Sequence, residues 1–431
     1  MPRFGLLGEH LGHSWSPQIH AALGSVPYRL FEAAPDDAPA FIREGAWDGI
    51  NVTIPYKKLA AELADERSAR VEALGAANTL IRRADGSIFA ENTDVLGFAK
   101  LLEDFCIDKL GATARDALAG KHALVLGSGG ASQAVAYVLE QMVGMTATLL
   151  SHARIDELNG MGSTRARSEF HEGADAALVV NTTPVGMSPN CPASPLEHWL
   201  LDRVRMPLLE GIVDIVYNPR ITGICFHADA RGIPWTSGLP MLVWQAIYAS
   251  ELFQGRELDH GIADQIIADI GRQSANIILI GMPGCGKSTA GRLLAEMTGR
   301  PFVDTDIEVE KLDGRSPAAI IEQDGEEPFR EVEQEVLRRF GAGSGQVIAC
   351  GGGVVTRVGN YGPLHQNGTI VFLDRPIEEL SSHGRPLSER FTVEGLARLR
   401  MHWYRTWADL RIETTGSARG DAEAIRAALG I

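Results

Sequence analysis

The sequence predicts an α/β protein that contains three open sheets. Three stretches carry this prediction, and they begin at Phe4, Ala123 and Ile277. Each is a short apolar segment that a predicted helix follows, and in the last two a glycine-rich turn joins the strand to the helix. A regular alternation of strand, glycine turn and helix is typical of open α/β sheets.

Composition limits the class of protein. The chain has 431 residues, which is enough for two or three domains, and its 45% hydrophobic and 22% charged residues are typical of a globular protein. No apolar run reaches the length of a membrane span, and residues 1–20 lack the pattern of a signal peptide. The five cysteines are scattered without metal-like spacing, which predicts free thiols and a cytoplasmic protein.

The net charge also bears on partners. A formal charge of −15 argues against nucleic acid as the main partner, and we expect no membrane partner either. An anionic small molecule would have to be held by local cations that act against this overall charge.

The first apolar segment, Phe4–Leu7, precedes a turn that is rich in hydroxyl groups. Ser14 and Ser16 stand one residue apart, directly before Pro17, which favours the start of a helix. Two hydroxyls so close together can form a small polar pocket. Taken alone, however, serines at such a position more often cap the helix.

Three later segments bring amide, hydroxyl or charged groups to the end of an apolar stretch. They read Asn51-Val-Thr53-Ile-Pro55-Tyr-Lys57, Gly75-Ala-Ala-Asn78-Thr79 and Asn92-Thr93-Asp94. Asparagine and threonine inside a buried strand need hydrogen-bond partners, and a ligand can supply them. Any one of these residues could instead be a solvated surface group.

Taken in order with the two serines, these motifs resemble those of shikimate dehydrogenases. The resemblance implies that Lys57 and Asp94 perform the proton chemistry, with Asp94 also in contact with the substrate. An ammonium beside a carboxylate suits this role, because reduction of a ketone by hydride needs a proton for the developing alkoxide. The resemblance further implies a substrate pocket formed by Ser14, Ser16, Thr53, Asn78, Asn92 and, from later motifs, Tyr217 and Gln245.

A second strand and glycine turn predicts a dinucleotide site. The apolar residues 123–126 are followed by a predicted helix over 132–140. The glycine spacing is a variant of the dinucleotide fingerprint, which is weak evidence alone and stronger after the substrate motifs. The residues of this turn are Gly127, Ser128, Gly129, Gly130 and Ala131.

The end of the next strand, Thr146–Leu150, bears on the choice of coenzyme. His152 stands where the resemblance leads us to expect an arginine for the ribose 2′-phosphate, and we expect Arg154 to take over that contact. Because no acidic residue is placed to bind a free 2′-hydroxyl, the sequence favours NADP(H) over NAD(H). A dehydrogenase that prefers NAD and accepts quinate is the alternative. By resemblance, Thr183 and Gly238 complete the cofactor site.

The remainder of the chain begins with a complete phosphate-binding loop. A buried strand, Ile277–Ile280, precedes the loop, and a helix is predicted from near Lys287. Lys287 can reach the β- and γ-phosphates of ATP, and Ser288 can hold Mg²⁺. The ATP-binding residues predicted from this loop are Gly281, Gly284, Cys285, Gly286, Lys287, Ser288 and Thr289.

The motifs that follow the loop resemble those of shikimate kinases over the whole remaining chain. The resemblance implies that Asp304 assists Mg²⁺ and that Asp306 binds the hydroxyl that attacks the γ-phosphate. It implies that Arg385 lies in a lid, stabilises the transferring phosphoryl group and contacts ATP. The lid is shorter than in the family, so we expect weak contact with adenine. The substrate-binding residues implied are Asp306, Arg330, Gly352, Gly353 and Arg400.

The sequence is therefore interpreted as a fusion of the two enzymes, with 3-dehydroshikimate and shikimate as substrates. We expect a substrate domain over 1–98, completed by helices within 238–270, and a Rossmann-like domain over 99–237. The last of these helices is predicted to be amphipathic and to cover residues 254–270. A linker over 271–275 would lead to a P-loop kinase domain over 276–431. The competing hypothesis is that one half is a ligand-sensing module without catalysis, and the retained catalytic residues argue against it.

Overall fold

The computed structural model describes residues 3–12, 14–160, 174–380 and 392–431. The described chain is an α/β protein with three sheets, which confirms the predicted fold class. Its contacts divide it into two compact units. The first unit comprises Met1–Pro184, Ser194–Tyr217 and Ile224–Ile270, and the second comprises Val185–Ala193, Asn218–Gly223 and Gly271–Ile431.

Most strands are short and largely buried. In chain order they are β1 Phe4–Gly8, β2 Tyr28–Glu32, β3 Gly49–Val52, β4 Glu66–Arg67, β5 Thr79–Arg82, β6 Ile88–Glu91, β7 His122–Leu126, β8 Thr146–Leu150, β9 Ala176–Asn181, β10 Gly211–Asp214, β11 Trp235–Thr236, β12 Asn276–Ile280, β13 Phe302–Asp304, β14 Val347–Ala349, β15 Gly368–Asp374 and β16 Leu410–Glu413.

Helices connect most of these strands. In chain order they are α1 Ser16–Ala22, α2 Ala38–Glu44, α3 Lys57–Leu63, α4 Ala69–Leu74, α5 Thr93–Phe105, α6 Ala114–Leu118, α7 Gly130–Tyr137, α8 His152–Gly160, α9 Gly223–Asp229, α10 Leu239–Gln254, α11 Ile262–Ser274, α12 Lys287–Thr298, α13 Thr305–Asp313, α14 Pro317–Gln323, α15 Glu326–Gly341, α16 Tyr361–His365, α17 Val393–Trp407 and α18 Ala418–Leu429.

The first sheet is mixed and has the order β2-β1-β3-β5-β6-β4. Strand β1 runs parallel to β2 and β3, whereas β5 runs antiparallel to both β3 and β6. All four residues of β3 are buried, including the polar Asn51. This burial places an amide within the sheet, where it needs hydrogen-bond partners.

The second sheet has the order β11-β10-β9-β7-β8, and its strands are parallel. Leu126 of β7 pairs with Leu150 of β8, so the turns that follow these two strands lie at the same edge of the sheet. Helix α7 begins at Gly130 rather than at the predicted Ser132, because Gly129 takes the extended conformation of a cap residue. The helix passes into a π-helical turn at Val138–Val143.

The helix predicted over 254–270 is only partly formed, because residues 255–261 are not helical. Helix α10 ends at Gln254 because Gly255 adopts a φ of +62°, a left-handed conformation that favours glycine. Helix α11 begins at Ile262 and buries Ile266 and Ile270. It continues to Ser274 and so includes residues 271–274 of the predicted linker.

The third sheet has the order β13-β14-β12-β15-β16, and its strands are parallel. Every residue of the central strand β12 is buried, as its apolar sequence predicts. The phosphate-binding loop follows β12, and α12 begins at Lys287 as expected. Asp304 ends the edge strand β13.

Two expectations from composition can be compared with the structure. All five cysteines are free and buried, as their spacing predicts. Within the described residues, no helix combines the length and the hydropathy that crossing a membrane requires.

Candidate active sites

A cavity of about 290 Å³ in the first unit collects most of the residues predicted for the dehydrogenase substrate. It lies where the carboxyl ends of β3 and β10 approach the start of helix α10. The predicted residues that line it are Ser14, Ser16, Thr53, Lys57, Asn78, Asp94, Ala131, Tyr217, Gly238 and Gln245.

Lys57 and Asp94 form an ion pair at this cavity. Lys57 Nζ lies 2.6 Å from Asp94 Oδ2, and the two side chains are 31% and 21% exposed. The pair forms because Lys57 begins helix α3 while Asp94 lies in the first turn of α5. The other oxygen of Asp94 accepts a hydrogen bond of 2.8 Å from Asn78 Nδ2. The ammonium is therefore oriented by a carboxylate that is itself held in place.

The two serines of the amino-terminal turn face the cavity. Ser14 Oγ accepts a hydrogen bond of 3.2 Å from the backbone N–H of Ser16, which is the first residue of α1. Trp15 occupies the cap position of α1, and its side chain makes no capping hydrogen bond. The serines thus combine a local structural role with a position on the cavity wall.

Asn92 does not line the cavity, although the sequence predicts it to bind substrate. It is buried, and its side-chain oxygen caps α5 by accepting from the N–H of Val95. Its amide donates to the carbonyl of Ala76 at 2.9 Å. The polar groups of its side chain are thus used within the protein.

Asn51 lines the cavity but is absent from the predicted site residues. Its place in a buried strand next to Thr53 is the sequence signal that could have identified it. Tyr217 and Gln245 close another side of the cavity, and burial raises the pKa of the Tyr217 phenol. Gly97 of α5 lets α10 approach closely, since a Cβ there would lie 2.9 Å from Gln245 Cβ.

The glycine turn after β7 forms an open cradle. Gly127 has a φ of +116°, and a Cβ there would lie 2.6 Å from Thr182 Oγ1. By contrast, a Cβ at Gly129 or Gly130 would meet nothing within 4 Å. These two residues are exposed at the start of α7, together with Ser128. Open backbone N–H groups at a helix N-terminus suit the pyrophosphate of a dinucleotide.

The residues predicted to meet the ribose phosphate lie at the start of α8. His152 is exposed, and Arg154 forms an ion pair of 2.6 Å with Glu157 on the next turn of the helix. The Arg154 side chain is 30% exposed and that of Glu157 is 59% exposed. Arg154 is therefore present at the predicted site, but its guanidinium is already paired with the carboxylate of Glu157.

Thr183 and Gly238 have structural roles, and of the two only Gly238 lines the dehydrogenase cavity. The hydroxyl of Thr183 donates 2.7 Å to Asn181 Oδ1, whose own amide donates 2.9 Å to Asp214 Oδ1. Gly238 precedes α10, and a Cβ there would lie 2.0 Å from the carbonyl oxygen of Ile215. A side chain larger than glycine cannot fit at Gly238.

A second cavity, of about 530 Å³, lies in the second unit. It collects the phosphate-binding loop and the groups predicted to hold the kinase substrate. The predicted residues that line it are Gly284, Gly286, Lys287, Ser288, Thr289, Asp304, Asp306, Arg330, Gly352, Gly353 and Arg400.

The phosphate-binding loop wraps around the ammonium of Lys287. Lys287 Nζ donates to the carbonyl oxygens of Gly281 and Met282 at 2.9 and 3.0 Å. Gly286 has a φ of +100°, and a Cβ there would meet nothing within 4 Å, which leaves room for a phosphate at the start of α12. Gly281 and Cys285 do not line the cavity; Gly281 turns the chain at a φ of +148°, and Cys285 packs in the core.

The two aspartates of this cavity lie in different elements. Asp304 is the last residue of β13, and its side chain accepts a hydrogen bond of 3.1 Å from the N–H of Asp306. Asp306 lies in the first turn of α13. Both still line the cavity, because the strand passes directly into the helix.

Arg330 is the most enclosed cation of this cavity among the described residues, with 4% of its side chain exposed. Its Nη1 donates 2.7 Å to Glu333, and its Nη2 donates 2.9 Å to Glu326. Burial opposes the charge, but the two glutamates outweigh that effect and raise the pKa of Arg330. Burial also raises the pKa of Glu333. Arg330 is thus a fixed guanidinium with one half-exposed partner, Glu326.

The glycine turn after β14 fits closely around these groups. A Cβ at Gly353 would lie 1.9 Å from Arg330 Nη2, and one at Gly351 would lie 2.8 Å from Asp306 Oδ1. Arg400 Nη1 donates 3.2 Å to the carbonyl oxygen of Gly352. The turn therefore needs glycine in order to bring backbone next to both charged groups. The predicted Arg385 and the lid residues 381–384 lie outside the described residues.

Comparison with known proteins follows the same division of the chain. The family model for the shikimate dehydrogenase substrate binding domain matches residues 6–80, and that for shikimate kinase matches residues 283–429. A shikimate dehydrogenase (NADP(+)) of Clostridium perfringens is 31% identical over 282 residues, which cover 63% of this chain and 98% of that protein. The enzyme of the same name from Methylobacterium radiotolerans is 34% identical over 287 residues, which cover 62% and 98%.

A solved structure is similar to the same part of the chain. It is a chorismate mutase/shikimate 5-dehydrogenase fusion protein from Clostridium acetobutylicum, with 29% sequence identity and a TM-score of 0.50. The match covers 62% of this chain and 96% of that one.

Proposed function

Since this chain belongs to the shikimate dehydrogenase family and carries a shikimate kinase domain after it, we propose that it makes shikimate and then phosphorylates it. It is a bifunctional enzyme of the shikimate pathway. The first reaction would reduce 3-dehydroshikimate with NADPH. The second would transfer the γ-phosphoryl group of ATP to the 3-hydroxyl of shikimate.

The ion pair of Lys57 and Asp94 carries the proposal for the dehydrogenase. When bound, NADPH supplies a hydride to the carbonyl carbon of the substrate. Lys57 donates a proton to the carbonyl oxygen as negative charge develops there. Asp94 accepts the 2.6 Å hydrogen bond from Lys57 and keeps the ammonium at that position. In the reverse direction Lys57 takes the proton back.

The start of α8 supports NADP(H) as the coenzyme. Arg154 offers a guanidinium for the ribose 2′-phosphate, and Ser151 and His152 provide no carboxylate for a free 2′-hydroxyl. The curated relatives in Clostridium perfringens and Methylobacterium radiotolerans are named as NADP(+) enzymes. One observation favours NAD(H) instead: Glu157 pairs with Arg154 and would repel a phosphate.

The wrapped Lys287 and the enclosed Arg330 carry the proposal for the kinase. Phosphoryl transfer needs cations around the γ-phosphate and a positioned hydroxyl more than it needs covalent chemistry. When ATP binds, the Lys287 ammonium would exchange its hydrogen bonds to the carbonyl oxygens of the loop for contacts with the phosphates. Arg330 and Arg400 would bind the carboxylate of shikimate, and Asp306 would accept the proton of the attacking hydroxyl.

Mg²⁺ fits the donor groups of this cavity. Ser288 and Asp304 both line it, and one hydroxyl with one carboxylate is a usual protein share for Mg²⁺, which takes its other ligands from phosphates and water. When bound, the ion neutralises phosphate charge. Asp304 and Ser288 would hold it beside Lys287.

An assay on the whole purified chain tests both activities. The reaction contains 3-dehydroshikimate, NADPH, ATP and Mg²⁺, and NADPH oxidation and ADP release are followed separately. We expect NADPH consumption first and ADP release after a lag, as shikimate accumulates. A parallel reaction with NADH tests the alternative coenzyme.

Two variants serve as matched controls in the same chain. Lys57→Met should strongly reduce NADPH oxidation and leave ADP release from added shikimate intact, and Lys287→Met should do the opposite. A wild-type chain in which one half binds its ligand without turnover, with either coenzyme in the case of the dehydrogenase, would favour the ligand-sensing hypothesis and contradict the proposal.

A further inference from the structure

Buried polar side chains form a continuous row behind the dehydrogenase cavity. The hydroxyl of Tyr28 donates 2.8 Å to Asn51 Oδ1. Asn51 Nδ2 donates 3.1 Å to Thr79 Oγ1, and the Thr79 hydroxyl donates 3.2 Å to Asn78 Oδ1. Asn51, Asn78 and Thr79 are at most 5% exposed, so water competes little for these groups.

The row ends at the catalytic ion pair. Asn78 Nδ2 donates 2.8 Å to Asp94 Oδ1, while Asp94 Oδ2 accepts from Lys57. The oxygen of the Asn78 amide also accepts 2.7 Å from the backbone N–H of Thr93. With its oxygen engaged in this way, the amide must present its NH₂ group to Asp94.

Each member of the row fixes the orientation of the next. An asparagine amide can point its oxygen or its nitrogen in a given direction, and its hydrogen bonds decide which. Because Tyr28 donates to Asn51, the amide nitrogen of Asn51 points to Thr79. Because Thr79 accepts that bond, its own proton is available to Asn78.

The far end of the row keeps a constant donor. Burial raises the pKa of Tyr28, so its phenol remains protonated and able to donate. The ring of His20 stacks on that of Tyr28 with centroids 4.1 Å apart. Burial lowers the pKa of His20 to about 3, so this neighbour stays neutral.

We propose that Tyr28, Asn51 and Thr79 are positioning residues that fix the Asn78 amide and thereby hold the Asp94 carboxylate against Lys57. This inference rests on the proposed dehydrogenase reaction. Without the row, the Asn78 oxygen would be held by Thr93 alone, and the amide would be less firmly fixed against Asp94. The carboxylate would move, and Lys57 would lose its alignment with the substrate carbonyl.

Thr79→Val is the main test, because valine keeps the shape of threonine and removes the hydroxyl. Thr79→Ser keeps the hydroxyl and should restore function. Ser250→Ala is the matched control: Ser250 is fully buried and hydrogen-bonded to Ser25, in the same unit but outside the row. The kinase rate of each variant, measured in the same chain, corrects for the amount of protein in the assay.

We expect Thr79→Val to lower the dehydrogenase kcat by about 10-fold to 100-fold, as loss of a buried hydrogen bond implies, with a smaller change in KM. Thr79→Ser should recover most of the loss. Ser250→Ala should lower the midpoint of thermal unfolding by about as much as Thr79→Val does, and it should leave kcat unchanged. Shikimate binding, measured by calorimetry without coenzyme, should be retained in Thr79→Val.

A kcat of Thr79→Val equal to that of wild type, or equal to that of Ser250→Ala, would overturn the inference. If Thr79→Val does not fold, Tyr28→Phe decides the question, with an expected fall in kcat of about 3-fold to 10-fold. An active wild-type chain with fully active variants would reject only the positioning role. An inactive wild-type chain would reject the proposed function and this inference together.

Discussion

Replacing Glu326 by glutamine should lower the KM of the kinase for shikimate. Oε1 of Glu326 accepts hydrogen bonds from Nη2 and Nε of Arg330 at 2.9 and 3.2 Å. It therefore occupies the edge of the guanidinium that is free to bind a carboxylate bidentately, because Nη1 is held by Glu333. A substrate carboxylate must displace Glu326 before it can bind there.

The exposure of the pair sets the size of the effect. The Arg330 side chain is 4% exposed, but that of Glu326 is 45% exposed, so solvent screens much of their attraction. An ion pair of this kind contributes about 0.5 to 1 kcal/mol, which corresponds to a decrease in KM of about 2-fold to 5-fold. The kcat should stay the same, because Glu326 competes with shikimate for Arg330 and has no part in the phosphoryl transfer.

The measurement is ADP release as a function of shikimate concentration at saturating ATP. Glu327→Gln is the matched control, because it removes the same charge one residue further along α15. Glu327 is 76% exposed and pairs with Arg357 instead. Any effect of net charge on the attraction of an anionic substrate should appear equally in both variants.

The outcome separates two roles for Glu326. A KM that falls only in Glu326→Gln supports competition for Arg330. A KM that rises would refute the reasoning and indicate that Glu326 orients the guanidinium for its ligand. Equal KM values in the two variants would also refute it.

Three further predictions concern the first unit. Glu157→Gln should release Arg154 and lower the KM for NADPH by about 2-fold to 5-fold, while the KM for NADH stays the same. Equal changes of KM for both coenzymes would contradict a contact between Arg154 and the 2′-phosphate. Lys57→Met should lower the dehydrogenase kcat by about 10²-fold to 10⁴-fold, and a smaller loss in stopped-flow reduction would exclude Lys57 as the proton donor. Burial disfavours the charge of Glu91, but hydrogen bonds from groups such as Arg70 outweigh it and lower the pKa of Glu91 below 4.5. Its stabilising effect is therefore present above that value and lost as the pH falls through the lowered pKa, so urea unfolding should show Glu91→Gln to be destabilised at about pH 7 and progressively less so as the pH falls below 4.5.

The sequence predicts well those cavity residues that belong to short motifs. Lys287 and Gly286 follow a buried strand with fixed spacing, so the loop could be placed within a residue. Lys57 and Asp94 lie 37 residues apart, yet the order of the motifs was sufficient to pair them. In such cases the chemistry itself restricts which residue types can stand at each position.

Other features depend on contacts that the sequence does not display. Tyr28 meets Asn51 across two strands that both flank β1, and no local pattern joins positions 23 residues apart. Asn92 stands in a motif but caps a helix, because it lies one residue before α5 begins. The break between α10 and α11 depends on Gly255, a single residue that an amphipathic pattern does not register.

Three of the cations predicted to meet ligands already have carboxylate partners in this structure. The pairs are Lys57 with Asp94, Arg154 with Glu157, and Arg330 with Glu326 and Glu333. The chain has a formal charge of −15, and in each pair the carboxylate neutralises a cation that would otherwise attract any anion. At Arg154 and Arg330, ligand binding then exchanges one anion for another, and its free energy is the difference between two interactions. It follows that removing an exposed carboxylate such as Glu157 or Glu326 should strengthen binding, whereas removing its cation should weaken it.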